Sequence, residues 1–227
     1  MQSLCDNNNI AIHALENRIK IISPTQFTAF RKFIQQGEAS MTSADESSVV
    51  GLGKVLDQAN IHRVKHSERA ARLLLHLGRR MDIPEAKLVL LRQGMLLHDI
   101  GKTQIPDSIN NKRGPLTQEE WKVMKRHPEL GFQMVNRVPY PREVAEIVRY
   151  HHENWDGSGY PDGLCGEAIP LHARMAAIVE VWDALLHNLP YRPAWKKSDA
   201  LEYMKEQAGL KFDPQVVAVF VEMIEED

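Results

Sequence analysis

Apolar residues recur at helical spacing through most of this chain, and nowhere do β-branched residues alternate with polar ones over a convincing run. This pattern limits the fold more than any other feature. Amphipathic helices must bury their stripes against one another, so the expectation is an all-α bundle. Over 66–81, Ala70, Leu73, Leu74 and Leu77 share one face. Pro84 suits a first turn, a helix follows to about residue 100, and Gly101 stands where it should end. Thr117 and Glu120 have the spacing of a capping box that opens a helix to about residue 126. Pro128 breaks or restarts it, with helix to about residue 137. Pro141 opens another that ends near residue 152. Residues 153–170 are rich in Gly and Pro and read as loop. Helices over 171–187, 198–207 and 214–226 complete the pattern, and no internal repeat is visible.

Residues 1–60 differ from the rest. They carry an Asn run at 7–9 and a small polar stretch at 37–48. Phe27, Phe30, Phe33 and Ile34 give a helix over 25–36, and 43–59 reads as a second. The expectation is a short helical N-terminal region, dimerising or capping in role, attached to a main domain over 61–227. A homodimer is the oligomer this predicts.

The 28 Lys and Arg nearly balance the 30 Asp and Glu, leaving a formal charge of −2. That argues against a broad polyanion-binding face, and hence against DNA as a partner. A local basic pocket for a small phosphate ligand stays open. Cys5 and Cys165 are too few for a disulfide framework and are expected as free thiols in a reducing cytoplasm. The first residues lack the basic-then-apolar order of a secretory signal. No stretch approaches the ~18 apolar residues of a membrane span.

Histidine is the unusual residue: ten are present, most of them between His62 and His152. His98 and Asp99 stand together at the end of an apolar helix, where burying an imidazole and a carboxylate is costly without compensation. Fe, Mn or Zn would compensate both. His151 and His152 repeat the arrangement at another helix end. His66 is expected to begin its helix, and His127 precedes Pro128. Glu180 lies in an apolar helix with Asp183 three residues on, on the same face. A lone histidine at a helix end is ordinarily a surface or capped residue, and a lone Glu180 a salt-bridged one. The joint pattern favours a metal site. His62, four residues before His66, reads as a surface residue or an extra ligand. Lys102 is suited to offset charge on a phosphoryl oxygen, or merely compensates a helix dipole.

The segments HDIGK, HHENWDGSGYPDGLCGEAIPLHAR, WDAL and PYR resemble the HD-GYP family, a branch of the HD-domain metal-dependent phosphohydrolases. The resemblance runs from about His66 to Phe220, with Gly159-Tyr160-Pro161 as the naming tripeptide. It implies an HD-domain helical bundle and hydrolysis of cyclic di-GMP, or a related cyclic dinucleotide, to linear dinucleotide or GMP through a metal-bridging hydroxide. It implies two or three metals, Fe or Mn, on His66, His98, Asp99, His127, His151 and His152, with Glu180 standing where the family usually has Asp. Asp99 would bridge two metals and Lys102 would contact the scissile phosphate. Tyr160 and Arg192 would belong to the substrate site, with Trp155 or Tyr160 packing on a guanine or bracing the loop. The loop is also implied to dock diguanylate cyclase domains. Leu189 stands where the family commonly has Arg. With Glu180, it motivates the alternative of a catalytically weakened cyclic dinucleotide sensor or interaction module.

Overall fold

The computed structural model describes residues 61–112, 114–136, 140–188 and 193–226. The N-terminal helices expected before residue 61 fall outside these, as do Leu189 and Arg192.

The described residues are helical, with no strand among them. In chain order the helices are α1 (Ile61–Arg80), α2 (Glu85–Leu97), α3 (Asp107–Asn110), α4 (Gln118–Met124), α5 (His127–Val135), α6 (Arg142–Tyr150), α7 (Leu171–Leu186), α8 (Lys197–Glu206) and α9 (Pro214–Glu226). The periodicity finds the main helices. α4 opens on the expected capping box: the Glu120 amide donates to Thr117 Oγ1 at 3.2 Å, and the Thr117 amide to Glu120 Oε2 at 2.7 Å.

Two expectations are corrected. His66 lies inside α1 rather than at its start, with helix already present from Ile61. The helix after Pro84 stops at Leu97, and Asp99 (φ −94°, ψ 6°) hands the chain to a 3-10 turn over Ile100–Gln104. Gly101 does not end a helix there; it permits a close approach. A Cβ at this position would lie 1.9 Å from the His127 carbonyl oxygen and 2.5 Å from the Gly131 amide nitrogen. The bare backbone lets the turn lie directly against α5. The structure adds the short helix α3 and a 3-10 turn at Gly166–Ala168, neither marked by apolar periodicity.

The core fills the space between the helices. α2 packs on α6 across Gly94, where a Cβ would meet Ile147 Cδ1 at 2.6 Å. Leu74, Leu77, Leu88, Met95, Leu97, Ile147, Met175, Ile178 and Phe220 are fully buried. Such side chains each contribute roughly 1.5–3 kcal/mol of burial free energy. α7 is buried over most of its length between α6 and the α8–α9 pair, with Trp182 edge-on to Phe220. This packing brings the C-terminal ends of α2 and α6, the start of α5 and the middles of α1 and α7 to one place.

Candidate metal centre

Each converging element carries a polar side chain that its apolar neighbours pull inward. α1 supplies His66, the end of α2 supplies His98 and Asp99, α5 opens on His127, α6 ends on His151 and His152, and α7 carries Glu180 and Asp183. His98, His127 and His151 are buried.

The imidazoles are oriented from behind by their own helices. His98 Nδ1 donates to the Met95 carbonyl at 2.6 Å, and His127 Nδ1 to the Met124 carbonyl at 2.9 Å. His151 Nδ1 donates to the Ile147 and Val148 carbonyls, each at 3.1 Å. A carbonyl only accepts, so the proton sits on Nδ1 and the Nε2 lone pair is left facing the cavity. His66 follows the same rule with a different partner. Its Nδ1 donates to Asp183 Oδ2 at 2.6 Å, and Arg69 holds that carboxylate through Nε at 2.7 Å and Nη2 at 2.8 Å.

Two triads result. His127, His151 and His152 form one; His66, His98 and Glu180 form the other; within each, the ligand atoms lie within 4.8 Å of one another. Asp99 stands between them, with Oδ1 3.3 Å from His127 Nε2 and Oδ2 3.6 Å from His98 Nε2. Lys102 Nζ donates to Asp99 Oδ2 at 2.6 Å.

The charge balance follows from burial. Desolvation pushes His98 down to about 4 and holds His151 and His152 well below the usual imidazole range, so all three are neutral at pH 7. Burial works against the Asp99 charge too, but the Lys102 ammonium beside it holds its carboxyl well below the usual range. Burial, then the Asp99 charge, pushes Glu180 up to about 7. Burial would lower His66, yet the Asp183 hydrogen bond and the charges of Glu180, Asp183 and Asp99 raise it.

This donor set fits a metal. His98 Nε2 and Asp99 Oδ1 are buried without a hydrogen-bond partner. His127 Nε2 and His151 Nε2 face each other at 3.3 Å, although both rings carry their proton on Nδ1. Two lone pairs at that distance repel unless a cation lies against them. Neutral imidazoles whose far nitrogen is hydrogen-bonded, beside carboxylates, are the usual ligand set of Fe, Mn and Zn.

The structure thus brings together His66, His98, Asp99, Lys102, His127, His151, His152 and Glu180. Tyr160 joins them at the edge, with its ring centroid 4.8 Å from that of His152. The side chain of His62 and all of Arg192 and Leu189 lie outside the described residues. Asp183, grouped with Glu180 in the sequence, faces His66 and Arg69 instead. Glu153 lies in the stretch the sequence marks as loop. It is buried, and it accepts the amides of Asp162 at 2.7 Å, Gly163 at 3.1 Å and Leu164 at 3.1 Å. A lone acid between a histidine pair and a Gly-rich loop was the available signal. At Gly159 a Cβ would lie 2.3 Å from the Asn154 amide nitrogen, so glycine lets the loop fold back onto the residues that follow His152.

The chain belongs to the HD domain family, whose model matches residues 52–216, and within it to the HD-GYP branch. It is 43% identical over 152 residues to the cyclic di-GMP phosphodiesterase response regulator RpfG of Xanthomonas campestris, covering 66% of this chain and 40% of that protein. It is 39% identical over 160 residues to the cyclic di-GMP phosphodiesterase PA4108 of Pseudomonas aeruginosa, covering 70% and 38%. It is 34% identical over 176 residues to the 3'3'-cGAMP-specific phosphodiesterase 2 of Vibrio cholerae, covering 77% and 34%. The chain therefore spans about two fifths or less of the length of these curated relatives. Among solved structures, the HDG"Y"P protein Bd1817 of Bdellovibrio bacteriovorus has a TM-score of 0.61 at 21% identity, covering 88% of this chain and 69% of that one. The Vibrio cholerae phosphodiesterase V-cGAP3 has a TM-score of 0.58 at 23% identity, covering 78% and 48%. At these identities the structural likeness speaks for the helical fold.

Proposed function

We propose that this chain is a metal-dependent phosphodiesterase that opens cyclic di-GMP, or a related cyclic dinucleotide, to linear dinucleotide or GMP. The observation that carries the reading is the pair of triads on either side of Asp99, each with at least one fully buried imidazole, and Lys102 held against that carboxylate. The printed activities of the relatives supply the substrate class.

His127, His151 and His152 would hold one metal and His66, His98 and Glu180 another, with Asp99 between them; two or three Fe or Mn ions suit this set. Metals bound there supply Lewis acidity and make water more acidic near neutral pH. The chain's own groups do the rest. The Nδ1 hydrogen bonds keep the imidazoles in one orientation. Lys102, anchored on Asp99, offsets charge that develops on the phosphoryl oxygens. Hydrolysis joins the oxygen of water to phosphorus and breaks one bond from phosphorus to a ribose oxygen, which takes up a proton. Tyr160, seated on His152, braces the cleft wall rather than stacking on a guanine. Arg192 is retained as a phosphate contact.

Glu180 motivated the alternative of a weakened sensor. Its place in a triad with His66 and His98 supports the enzyme over that alternative. We also retain a domain boundary near residue 60, dimerisation through the first residues, docking of diguanylate cyclase domains on the Gly-rich loop, and a cytoplasmic setting, which the free, exposed Cys165 suits. Among the described residues no helix is long and apolar enough to cross a membrane.

The test is an assay of cyclic di-GMP and 3'3'-cGAMP with Fe- or Mn-loaded protein of counted metal content. Linear dinucleotide or GMP is expected. Tight binding without product would favour the sensor, and neither binding nor product would reject both readings.

A further inference from the structure

A cyclic dinucleotide carries two phosphodiester charges, and the centre described above, with Lys102, faces only the one being cut. A net charge of −2 means no general basic surface waits for the other. Among the described residues, Lys125 stands in a suitable position. Lys125 closes α4 two residues before His127, and its side chain is exposed. Its Nζ lies 5.2 Å from the centroid of the Tyr160 ring. That ring packs on His152, whose own ring centroid is 5.0 Å from that of His127. Lys125 is therefore joined to the metal triad through two stacked rings. Three other lysines, by contrast, are held by carboxylates: Lys102 on Asp99 at 2.6 Å, Lys112 on Glu120 at 2.5 Å and Lys122 on Glu119 at 2.8 Å. Among the described residues no carboxylate pairs with Lys125. The Lys125 ammonium is itself exposed above the half-buried Tyr160 ring, so the contact holds it only weakly and its charge remains available to an anion. With His152 packed on the ring and an ammonium above it, the tyrosine serves as a support for that ammonium.

We infer that Lys125 is a substrate-binding residue that pairs with the non-reacting phosphate of the cyclic dinucleotide, at the edge of the cleft. This rests on the function proposed above. The consequence is selectivity: the residue favours a diester that carries a second phosphate over one that carries a single phosphate.

The test compares K125A and K125R with the natural chain in the Mn-loaded protein. Cyclic di-GMP and bis(p-nitrophenyl) phosphate, which has one phosphate, are the two substrates. K125A should raise KM for cyclic di-GMP about tenfold, the scale of one charge-assisted contact at an exposed site, with kcat within about twofold. The ratio of kcat/KM between the two substrates should fall by the same factor, and K125R should restore most of it. An unchanged KM, or an equal loss on both substrates, overturns the inference. If the natural chain turns over neither substrate, the proposed function fails. Calorimetric titration with cyclic di-GMP then judges Lys125: tenfold weaker binding by K125A supports the assignment, while equal binding, or none by either protein, overturns it.

Discussion

Asp183 is seated opposite two basic partners that lie far away in sequence. It accepts from His66 and is clamped through two bonds by Arg69, so it acts on the metal centre from behind one of the ligands. Replacing it (Asp183→Asn) loosens the Arg69 clamp and frees the His66 ring to turn. Loss of such a supporting contact typically costs 10- to 100-fold in metal affinity. Competition with a chelator should show a fall on that scale, and unchanged affinity would deny Asp183 this role. Lys102 acts on the other side, toward substrate. K102A should keep its metal but lose about 100-fold in kcat on cyclic di-GMP, as expected for removal of one group that stabilises transition-state charge. The proposed ligands His98, Asp99, His151 and His152 were legible in the sequence because they come as doublets at helix ends; His66, His127 and Glu180, which stand singly, gained weight only from the joint pattern. The sequence did not make the Asp183–Arg69 pair legible, because nothing in local spacing marks two residues that meet only after α1 and α7 pack.

Local signals served well where the structure they specify is itself local. The Thr117 and Glu120 box needs one turn of chain, and it forms. Gly101 shows the opposite case. Read locally, it stops a helix; in the fold, it lets one segment touch the backbone of another 26 residues later in number, at His127. Gly101→Ala forces a Cβ against backbone atoms that have no flexible end to yield. It should destabilise the protein by about 2 kcal/mol or more by urea unfolding, in the range of overpacking at a tight contact. It should also lower metal content, since Asp99 and Lys102 move with the turn. The Gly-rich loop depends likewise on a buried anchor. Glu153→Gln keeps the shape but removes the charge that three amides share. The amides of Asp162, Gly163 and Leu164 should then exchange hydrogen about tenfold faster, a loss of the order of one charge-assisted hydrogen bond. Unchanged exchange would assign the loop's order to Arg149, which holds Asp162 through bonds of 2.8 and 3.0 Å.

Taken as a whole, the molecule keeps several histidines neutral in its interior, and this sets its response to acid once metal is removed. His98, His151 and His152 all have folded values below the ordinary imidazole range, His98 at about 4. The unfolded chain therefore binds protons first as pH falls, and stability drops from about pH 6.5 downward. Each such histidine costs up to about 1.4 kcal/mol per pH unit. His66 runs the other way, its raised value giving stability that is present below about pH 6.5 and lost as pH rises through the folded value. Glu180, raised to about 7, sides with His66, while His172, also lowered by burial, sides with the other three; four groups oppose two, so the melting temperature of chelator-treated protein should fall between pH 7 and pH 5. A rise over that interval would contradict the burial described above. The all-helical class was legible in the sequence because periodicity is an average over many residues and survives small errors of boundary.

All of this depends on two sets of side chains, remote in the chain, holding cations in one cavity. Diffraction from crystals of metal-loaded protein, recorded on either side of the Mn or Fe absorption edge, tests it most directly. Anomalous peaks are predicted within bonding distance of His127, His151 and His152, and of His66, His98 and Glu180, with Asp99 touching both. A fully loaded crystal with its peaks elsewhere, or with neither triad in contact with one, would contradict the account.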